Sequence, residues 1–373
     1  MKFNGFKLER FFAKYEFNVK YTLSSSDCET LKVAELLALA GDDMKEKWHD
    51  LSLGYTESKG YPLLLAEIAK LYDGIPSENI LAVVPQEGGL IALSSILEKG
   101  DHVICMSPAY QSLSEVPRAL GCEVSDFPVI KKEDRWELDL EMLKGLIKKE
   151  TRLLILNIPH NPTGYLPSRE TFDEIVAIAR KNGIYIFSDE MYRLSELDEA
   201  DRLPSMAAVY EKGVSLSGLS KSFGLPGLRT GWLVTQDDKL FRQFLVQKDY
   251  TTICGSAPGE VLAVMALRAK DVIIKRNLAI IRENIGHAES FFSQHSGKLA
   301  WTKPKAGSVA FAQFLGGLDA EKISIDLINE KSLLILSGNF FDYDRSFFRL
   351  GLGRKSFKTG LELFDDFIAG TSL

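Results

Sequence analysis

The sequence predicts an α/β protein in which helices cover both faces of a mostly parallel sheet, with a smaller α+β part beside it. Two patterns support this fold class. Short apolar segments alternate with segments of helical periodicity from about residue 50 to residue 270. Polar residues follow several of the apolar segments directly, which is typical of the ligand-binding edge of such a sheet.

The length of the chain indicates more than one folding unit. At 373 residues it is too long for one simple core. We predict an N-terminal flap with part of a small domain at 1–48, a large domain at 49–270 and a small C-terminal domain at 271–373.

Composition and charge restrict the class of protein. The hydrophobic fraction of 45% and the charged fraction of 26% are ordinary for a soluble globular protein. A net charge of −6 without a basic block argues against nucleic acid or an anionic membrane as a partner. No apolar run approaches the roughly 18 residues of a membrane span. Four scattered cysteines are typical of reduced thiols. We therefore expect a cytoplasmic enzyme.

The first hundred residues begin with helical periodicity and then change to a strand. Apolar residues at positions 8, 11, 12 and 15 have the spacing of an amphipathic helix. Up to residue 97 we predict helices at 7–18, 30–40, 63–72 and 90–97, a loop at 51–62, a strand at 80–84 and a turn at 85–89.

From residue 101 onward, strands alternate with helices. Ser168 is predicted to begin one helix, which Asn182 and Gly183 stop. The other predicted elements are strands at 101–106, 153–157, 184–188, 308–314 and 347–353, and helices at 261–269 and 271–293.

Residues 215–231 form the stretch with the clearest chemical content. Lys221 lies among small residues, including Ser217, and Arg229 follows it by eight positions. Small neighbours let a bulky ring approach the backbone, and serine hydroxyls donate hydrogen bonds to a phosphate. A lysine amine condenses with an aldehyde cofactor, and a guanidinium binds phosphate. A lysine on a solvated serine- and glycine-rich loop is the alternative interpretation.

This stretch resembles the lysine signature of the class I/II aminotransferases, which use pyridoxal 5'-phosphate (PLP) and have the type I fold. Gly218, Leu219, Ser220, Lys221 and Arg229 match the signature, whereas a threonine occupies position 230, where an aliphatic residue is expected. The resemblance implies a large PLP-binding domain at 49–270 with a sheet of the seven-stranded type. It also implies a homodimer that acts on an amino acid and a keto acid.

The resemblance also assigns roles around the cofactor ring. Tyr110 would stack on the pyridine face, and Asn161 and Tyr192 would hydrogen-bond the phenolic oxygen. Asp189 would keep the ring nitrogen protonated, so that the ring withdraws electrons from the substrate α-carbon. Arg349 would bind the substrate α-carboxylate through two parallel hydrogen bonds.

A second group of residues would bind the cofactor phosphate. A strand, a glycine-containing turn and a helix follow one another from residue 80, an arrangement that directs backbone N–H groups at an anion. The carboxylate at position 87 is unusual beside a phosphate, so we expect it to turn away. The resemblance implies a tyrosine from the neighbouring subunit as well. The phosphate candidates are Tyr55, Glu87, Gly88, Gly89, Ser217 and Arg229.

The reaction that the resemblance implies is transamination. Lys221 would hold PLP through its amine, give way to the substrate amine, and then remove the proton from the substrate α-carbon. The products would be a keto acid and pyridoxamine phosphate.

The substrate side chain is expected to be cationic and arginine-like. Glu16, Asp27 and Glu29 place three carboxylates within fourteen residues of the N-terminal flap. A cation in a closed site needs a partner, because a desolvated charge is costly. Asp27 is the first candidate, and Arg354 is expected to be solvated. The alternative is that these acids cap helices and face water.

Two other functions stay open. The N-terminal stretch and residues 85–89 resemble a branch whose relatives include PLP-dependent arginine oxidases. Those oxidases carry a histidine at the position of Glu29 and an aspartate at that of Gly218, and both departures favour transamination. A non-catalytic PLP-binding regulator would need a DNA-binding segment, for which the first fifty residues are too few and too acidic.

Overall fold

An eight-stranded sheet forms the centre of the larger part of the protein, for which the computed structural model describes residues 2–370. Its strands are β2 (Ile80–Val83), β3 (His102–Ser107), β4 (Glu123–Lys131), β5 (Trp136–Leu138), β6 (Thr151–Asn157), β7 (Tyr185–Asp189), β8 (Gly213–Gly218) and β9 (Gly231–Thr235). The spatial order is β2-β9-β8-β7-β6-β3-β4-β5. The five strands from β8 to β4 pair in parallel, whereas β9 and β5 run antiparallel to their neighbours. The mostly parallel sheet is confirmed, and β5 adds an edge strand to the expected seven.

Helices cover both faces of this sheet. Its helices are α4 (Pro62–Ala69), α5 (Pro85–Ile96), α6 (Ser112–Leu120), α7 (Leu140–Leu146), α8 (Arg169–Asn182), α9 (Met206–Val209), α10 (Asp238–Asp249) and α11 (Ala257–Arg268). Successive strand residues point to opposite faces. Thus Leu153 packs in the core with α5 and α10, whereas its neighbour Leu154 packs in the core with α8. Burial on both faces explains the continuous apolar strands that the sequence displays.

The smaller part contains two further sheets. Its strands are β1 (Tyr21–Thr22), β10 (Leu299–Ala300), β11 (Val309–Phe314), β12 (Leu333–Leu334), β13 (Leu336–Ser337) and β14 (Phe347–Gly351). An antiparallel sheet has the order β10-β11-β14-β13, and β1 pairs in parallel with β12. The remaining helices are α1 (Lys7–Tyr15), α2 (Val33–Leu39), α3 (Asp42–His49), α12 (Lys270–Gln294), α13 (Ala320–Lys331) and α14 (Phe357–Gly370). The boundary predicted near residue 270 falls at the start of α12, and the domain limits stay a prediction.

Helix ends account for most differences from the sequence-based prediction. The turn predicted at 85–89 is the first turn of α5, because Pro85 lacks the N–H that a first helical residue leaves unpaired. The Glu87 carboxylate also accepts a hydrogen bond from Val84 N–H at 3.2 Å, which caps the helix. Helix α1 ends at Tyr15, three residues before the predicted end at residue 18. Helix α8 confirms its predicted limits, with Ser168 accepting a hydrogen bond from Thr171 N–H. Within residues 2–370, no helix is long and apolar enough to cross a membrane.

Candidate active site

The central strands of the large sheet end at one edge, and three predicted residues meet there. Asp189 is the last residue of β7, and Lys221 follows β8 by three positions. Asn161 lies in the loop after β6, where Asn157 accepts a hydrogen bond from Asn161 N–H at 2.8 Å and donates one to the Asp189 carbonyl at 3.0 Å. Carboxyl ends of parallel strands form the ligand crevice in open α/β sheets.

The Lys221 amine is held inside the site. It donates a hydrogen bond to Ser26 Oγ at 2.7 Å. Burial lowers the pKa of Lys221, and Arg349 acts in the same direction, whereas Asp27 and Asp189 oppose the shift. A lowered pKa increases the share of neutral amine, which is the nucleophilic and proton-accepting form. Ser26 was not among the predicted residues.

The Asp189 carboxylate is buried, and the neighbouring groups offset the cost of burying its charge only in part. Burial raises the pKa of Asp189 to about 6, although a hydrogen bond from Met191 N–H at 3.1 Å and the charge of Lys221 act against the shift. The neighbouring Glu190 raises it further. A cation placed against Asp189 would stabilise its ionised form.

Arg349 is 2% exposed and joins the N-terminal flap to the strand-end loops. Its Nε and one terminal nitrogen donate to the Ser24 carbonyl at 3.1 and 2.7 Å. The other terminal nitrogen donates to Asn161 Oδ1 at 3.2 Å. Within residues 2–370 the Asn161 side-chain nitrogen donates to no protein atom, so it is available to a ligand oxygen.

Within residues 2–370, two hydroxyls at this edge are buried without a hydrogen bond of normal geometry: Tyr192 Oη and Ser220 Oγ. Burial raises the pKa of Tyr192, while Arg349 and the nearby Ser26 act to lower it. Buried polar groups almost always have a partner, so both hydroxyls indicate a missing one. Ser220 precedes Lys221 directly and was predicted only as a position of the lysine signature, without a role of its own.

Tyr110 contacts the N-terminal helix. Its hydroxyl donates to Glu9 Oε1 at 2.6 Å, and its ring centroid lies 5.0 Å from that of Phe6. Glu9 also acts on the pKa of Lys221 and of Glu16, so it belongs to the site. Sequence reasoning missed Glu9; its only signal was a carboxylate on the helix predicted to cover the site.

The start of α5 carries three of the residues predicted to bind the cofactor phosphate. Gly88 is required by packing, because a Cβ there would lie 2.7 Å from Val83 Cγ2 and 3.0 Å from Leu216 Cδ1. A Cβ on Gly89 would meet no atom within 4 Å. The Glu87 carboxylate accepts hydrogen bonds from Thr252, including one from its N–H at 3.1 Å, and therefore points to a neighbouring loop.

The remaining phosphate candidates differ in placement. Ser217 Oγ donates to the Glu190 carbonyl at 3.4 Å and is therefore committed to the backbone. Arg229 is exposed in the left-handed backbone region (φ 52°), and it donates to the Pro226 carbonyl at 2.9 Å. Tyr55 is 93% exposed, so it contributes nothing to the site of its own chain.

The three flap carboxylates lie in different environments. Asp27 accepts two hydrogen bonds of 2.8 Å from Arg354, which corrects the expectation that Arg354 is solvated. Glu29 accepts a hydrogen bond from Lys355 N–H at 2.9 Å. Within residues 2–370 the Glu16 carboxylate has no hydrogen bond or ion pair, and burial together with Asp27 raises its pKa.

These residues fit PLP. Tyr192 and the Asn161 side-chain nitrogen offer hydrogen bonds to a phenolic oxygen, and a protonated ring nitrogen would stabilise the ionised form of the buried Asp189. Ser220 has an unpaired hydroxyl, and Lys221 has an amine with a lowered pKa. Lys221 would attach the cofactor, and Asp189 would hold its ring nitrogen.

Comparisons with known proteins agree with this fit. The family model of aminotransferase class I and II matches residues 20–356. A crystal structure of a PLP-dependent aminotransferase from Streptococcus suis has a TM-score of 0.93 and 31% identity, covering 100% of both chains. Capreomycidine synthase from Streptomyces vinaceus is 26% identical over 336 residues, 90% of this chain and 86% of that protein. Aspartate aminotransferase from Pyrococcus horikoshii is 26% identical over 299 residues, 77% of this chain and 75% of that protein.

Fold, site and similarity define a PLP-dependent enzyme of the type I fold. The chain belongs to the aminotransferase class I and II family, and it transfers amino groups between amino acids and keto acids. The predicted fold class, cofactor and enzyme class are confirmed.

Proposed function

We propose that this aminotransferase takes its amino group from an L-amino acid with a cationic, arginine-like side chain, in the cytoplasm. The observation that supports this donor is the Glu16 carboxylate, which has no hydrogen bond or ion pair within residues 2–370 and whose pKa is raised by burial and by the negative charges of Asp27 and Glu9. A cationic side chain would relieve that repulsion. Because Arg354 already compensates Asp27, Glu16 is the stronger candidate and Asp27 the second.

In this proposal the chain's own residues perform four tasks. Arg349 binds the α-carboxylate, and Lys221 accepts the α-proton at Nζ. Tyr192 and Asn161 donate hydrogen bonds to the ring oxygen of the cofactor, and Asp189 holds the proton of the ring nitrogen. When bound, PLP supplies an aldehyde that condenses with amines and a ring that withdraws electrons from the α-carbon.

A comparison of amino donors tests the cationic side chain. With one keto acid held constant, we expect kcat/KM for arginine to exceed that for leucine or aspartate by about tenfold or more, because a charge-assisted hydrogen bond contributes 1.5–3 kcal/mol. Glu16→Gln should lower arginine turnover by a similar factor and change leucine turnover less than about twofold. Steady-state kinetics of the PLP-loaded enzyme provide both values.

A matched variant separates this effect from a general change of charge. Glu46 lies exposed on α3, so Glu46→Gln removes one carboxylate remote from the site and should leave all donors unchanged. Asp27→Asn is the second test variant. A wild-type preference for aspartate or leucine, or full arginine activity in both Glu16→Gln and Asp27→Asn, would contradict the proposed donor.

The functional unit that we propose is a homodimer in which Tyr55 serves the partner's phosphate site. Tyr55 is 93% exposed, and three large apolar side chains near it are exposed as well: Leu53 (82%), Tyr250 (87%) and Ile253 (54%). A hydrogen bond from Thr56 joins the two loops that carry them. Exposed apolar surface of this kind is typical of an interface.

Light scattering is expected to give about twice the chain mass of 41.6 kDa. Tyr55→Phe should keep the dimer and weaken PLP binding by about tenfold, because it removes one hydrogen bond to a charged group. Equilibrium dialysis of PLP measures that loss. An active monomer at working concentration would exclude the shared site.

The oxygen-dependent alternative finds less support. An aspartate at position 218 would need space that the backbone occupies, since a Cβ there would lie 2.9 Å from Gly231 Cα and 3.0 Å from the Thr230 carbonyl. Glu29, at the position of the oxidase histidine, is committed to Lys355 N–H. Both placements favour transamination over arginine oxidation.

A further inference from the structure

His160 lies in the loop after β6, directly before Asn161, and is 1% exposed. Its Nε2 lies 2.8 Å from the Pro108 carbonyl oxygen, and its Nδ1 lies 2.7 Å from Thr163 Oγ1. A carbonyl oxygen only accepts hydrogen bonds, so the ring proton belongs on Nε2. Nδ1 is then the acceptor of the neutral ring, and the Thr163 hydroxyl donates to it.

Neither nitrogen of this ring is available to a ligand. Burial lowers the pKa of His160 to about 3, and the hydrogen bond to Pro108 opposes the shift only in part, so the imidazole is neutral at neutral pH. Both nitrogens are committed to groups of the protein. The side chain therefore acts on the active site through the atoms that it holds, and not by contact with a substrate or a transferred proton.

The hydrogen bond from His160 to Pro108 joins two loops at the carboxyl edge of the sheet. Pro108 lies in the loop between β3 and α6, which carries Tyr110, and His160 lies in the loop between β6 and α8, which carries Asn161. Within residues 2–370, no other hydrogen bond joins these two loops. The backbone at the second loop is fixed as well, since His160 N–H donates to the Tyr165 carbonyl at 2.9 Å.

We propose that His160 is a positioning residue whose neutral imidazole holds the loops after β3 and β6 at one separation, so that the Tyr110 ring and the Asn161 side-chain nitrogen contact the same cofactor ring. An aromatic stack and an amide hydrogen bond each contribute only about 1 kcal/mol, so the cofactor ring is held well only when both are made together. The inference rests on the cofactor contacts predicted for Tyr110 and Asn161, and it is independent of the amino donor.

Two variants separate the roles of the two ring nitrogens. Glutamine places an amide nitrogen near the position of Nε2, whereas asparagine places an amide oxygen near that of Nδ1. His160→Gln therefore keeps the link to Pro108, and His160→Asn loses it. We expect His160→Asn to weaken PLP binding about three- to tenfold, the effect of one lost hydrogen bond, and His160→Gln to change it less than about twofold. Equilibrium dialysis of PLP with the full chain measures both.

His102 provides the matched control. It is also 1% exposed, and its ring nitrogens lie 2.8 Å from Thr151 Oγ1 and 2.9 Å from Ser125 Oγ. It begins β3, at the opposite edge of the sheet from the site, so His102→Asn should lower Tm and leave PLP binding by the folded enzyme unchanged. Equal weakening of PLP binding in His160→Asn and His160→Gln would assign His160 a structural role, and no weakening in His160→Asn would exclude the link. Both results overturn the proposal.

A double variant tests whether His160 acts through Tyr110. His160→Asn should weaken PLP binding less in a Tyr110→Leu background than in the wild type, because the stack that it positions is then absent. Additive losses would contradict the proposal, and so would a Tyr110→Leu variant that binds PLP as tightly as the wild type. PLP binding requires no amino donor, so a failure of the proposed cationic donor leaves these results unaffected.

Nitrogen-15 NMR of the wild-type enzyme keeps the proposal testable if His160→Asn does not fold. The ring signals that disappear in His160→Gln belong to His160. They should show a proton on Nε2 and a neutral ring between about pH 5 and about pH 8, where an unperturbed histidine changes its charge. A proton on Nδ1, or a ring that titrates in this interval, would overturn the proposal.

Discussion

Replacement of Lys221 by alanine is expected to lower turnover by at least about 10⁴-fold, because it removes both the attachment amine and the proton acceptor. The amine contacts Ser26 Oγ and lies within the influence of Asp189 and Arg349. The variant should stay folded and still bind PLP without a covalent bond. Absorbance spectra and steady-state kinetics measure the two effects.

Lys212 provides the matched control for this variant. Its amine donates to the Gly183 carbonyl at 2.8 Å, away from the site, so Lys212→Ala should keep full turnover. Reduction of the wild-type enzyme with borohydride, followed by mass spectrometry, should place the cofactor on Lys221. A label on another lysine, or retained activity in Lys221→Ala, would show the assignment to be wrong.

Arg349→Gln is expected to lower kcat/KM for amino acids by about 10²–10³-fold, since it removes the buried guanidinium that we propose binds the substrate α-carboxylate. It also removes the hydrogen bonds to the Ser24 carbonyl, at a cost of about 1–3 kcal/mol of folding free energy. Thermal unfolding measures that cost separately from the kinetics.

The corresponding amine without a carboxylate distinguishes recognition from structural damage. Arg349→Gln should weaken binding of the amino acid strongly and leave binding of the decarboxylated amine nearly unchanged. Arg349→Lys restores the charge without the planar fork and should recover only part of the affinity. Equal losses for the amino acid and the amine would contradict the carboxylate role.

The strands around the site were predictable because their residues are buried on both faces. Strands β6 and β7 appear in the sequence as short apolar runs that end in Asn157 and Asp189. The end of each helix was less predictable, because it depends on caps. The start of α5 contains two glycines, which in the sequence favour the turn predicted at 85–89; Gly88 is tolerated in the helix because the helix packs directly on Val83.

Much of the candidate site was also accessible from local motifs. Lys221 and Arg229 occur eight residues apart, and Asp189 and Tyr192 occur three apart, so one stretch of chain carries each chemical pattern. Glu9, by contrast, enters the site only because α1 packs beside Tyr110, about a hundred residues away in the chain. No motif or residue spacing in the sequence indicates that contact.

The alternating burial of strands and helices, the lysine signature and the polar strand ends are local properties, so the fold class and the cofactor could be predicted from the order of residues, and attachment at Lys221 stays a prediction. Whether each flap carboxylate has a charged partner cannot be predicted from the order of residues. Asp27 is paired because the segment after β14 brings Arg354 to it across more than three hundred residues, while Glu16 lies among the same charges and has no partner among the described residues 2–370. Electrostatic compensation depends on distance in space, and only the folded chain sets those distances.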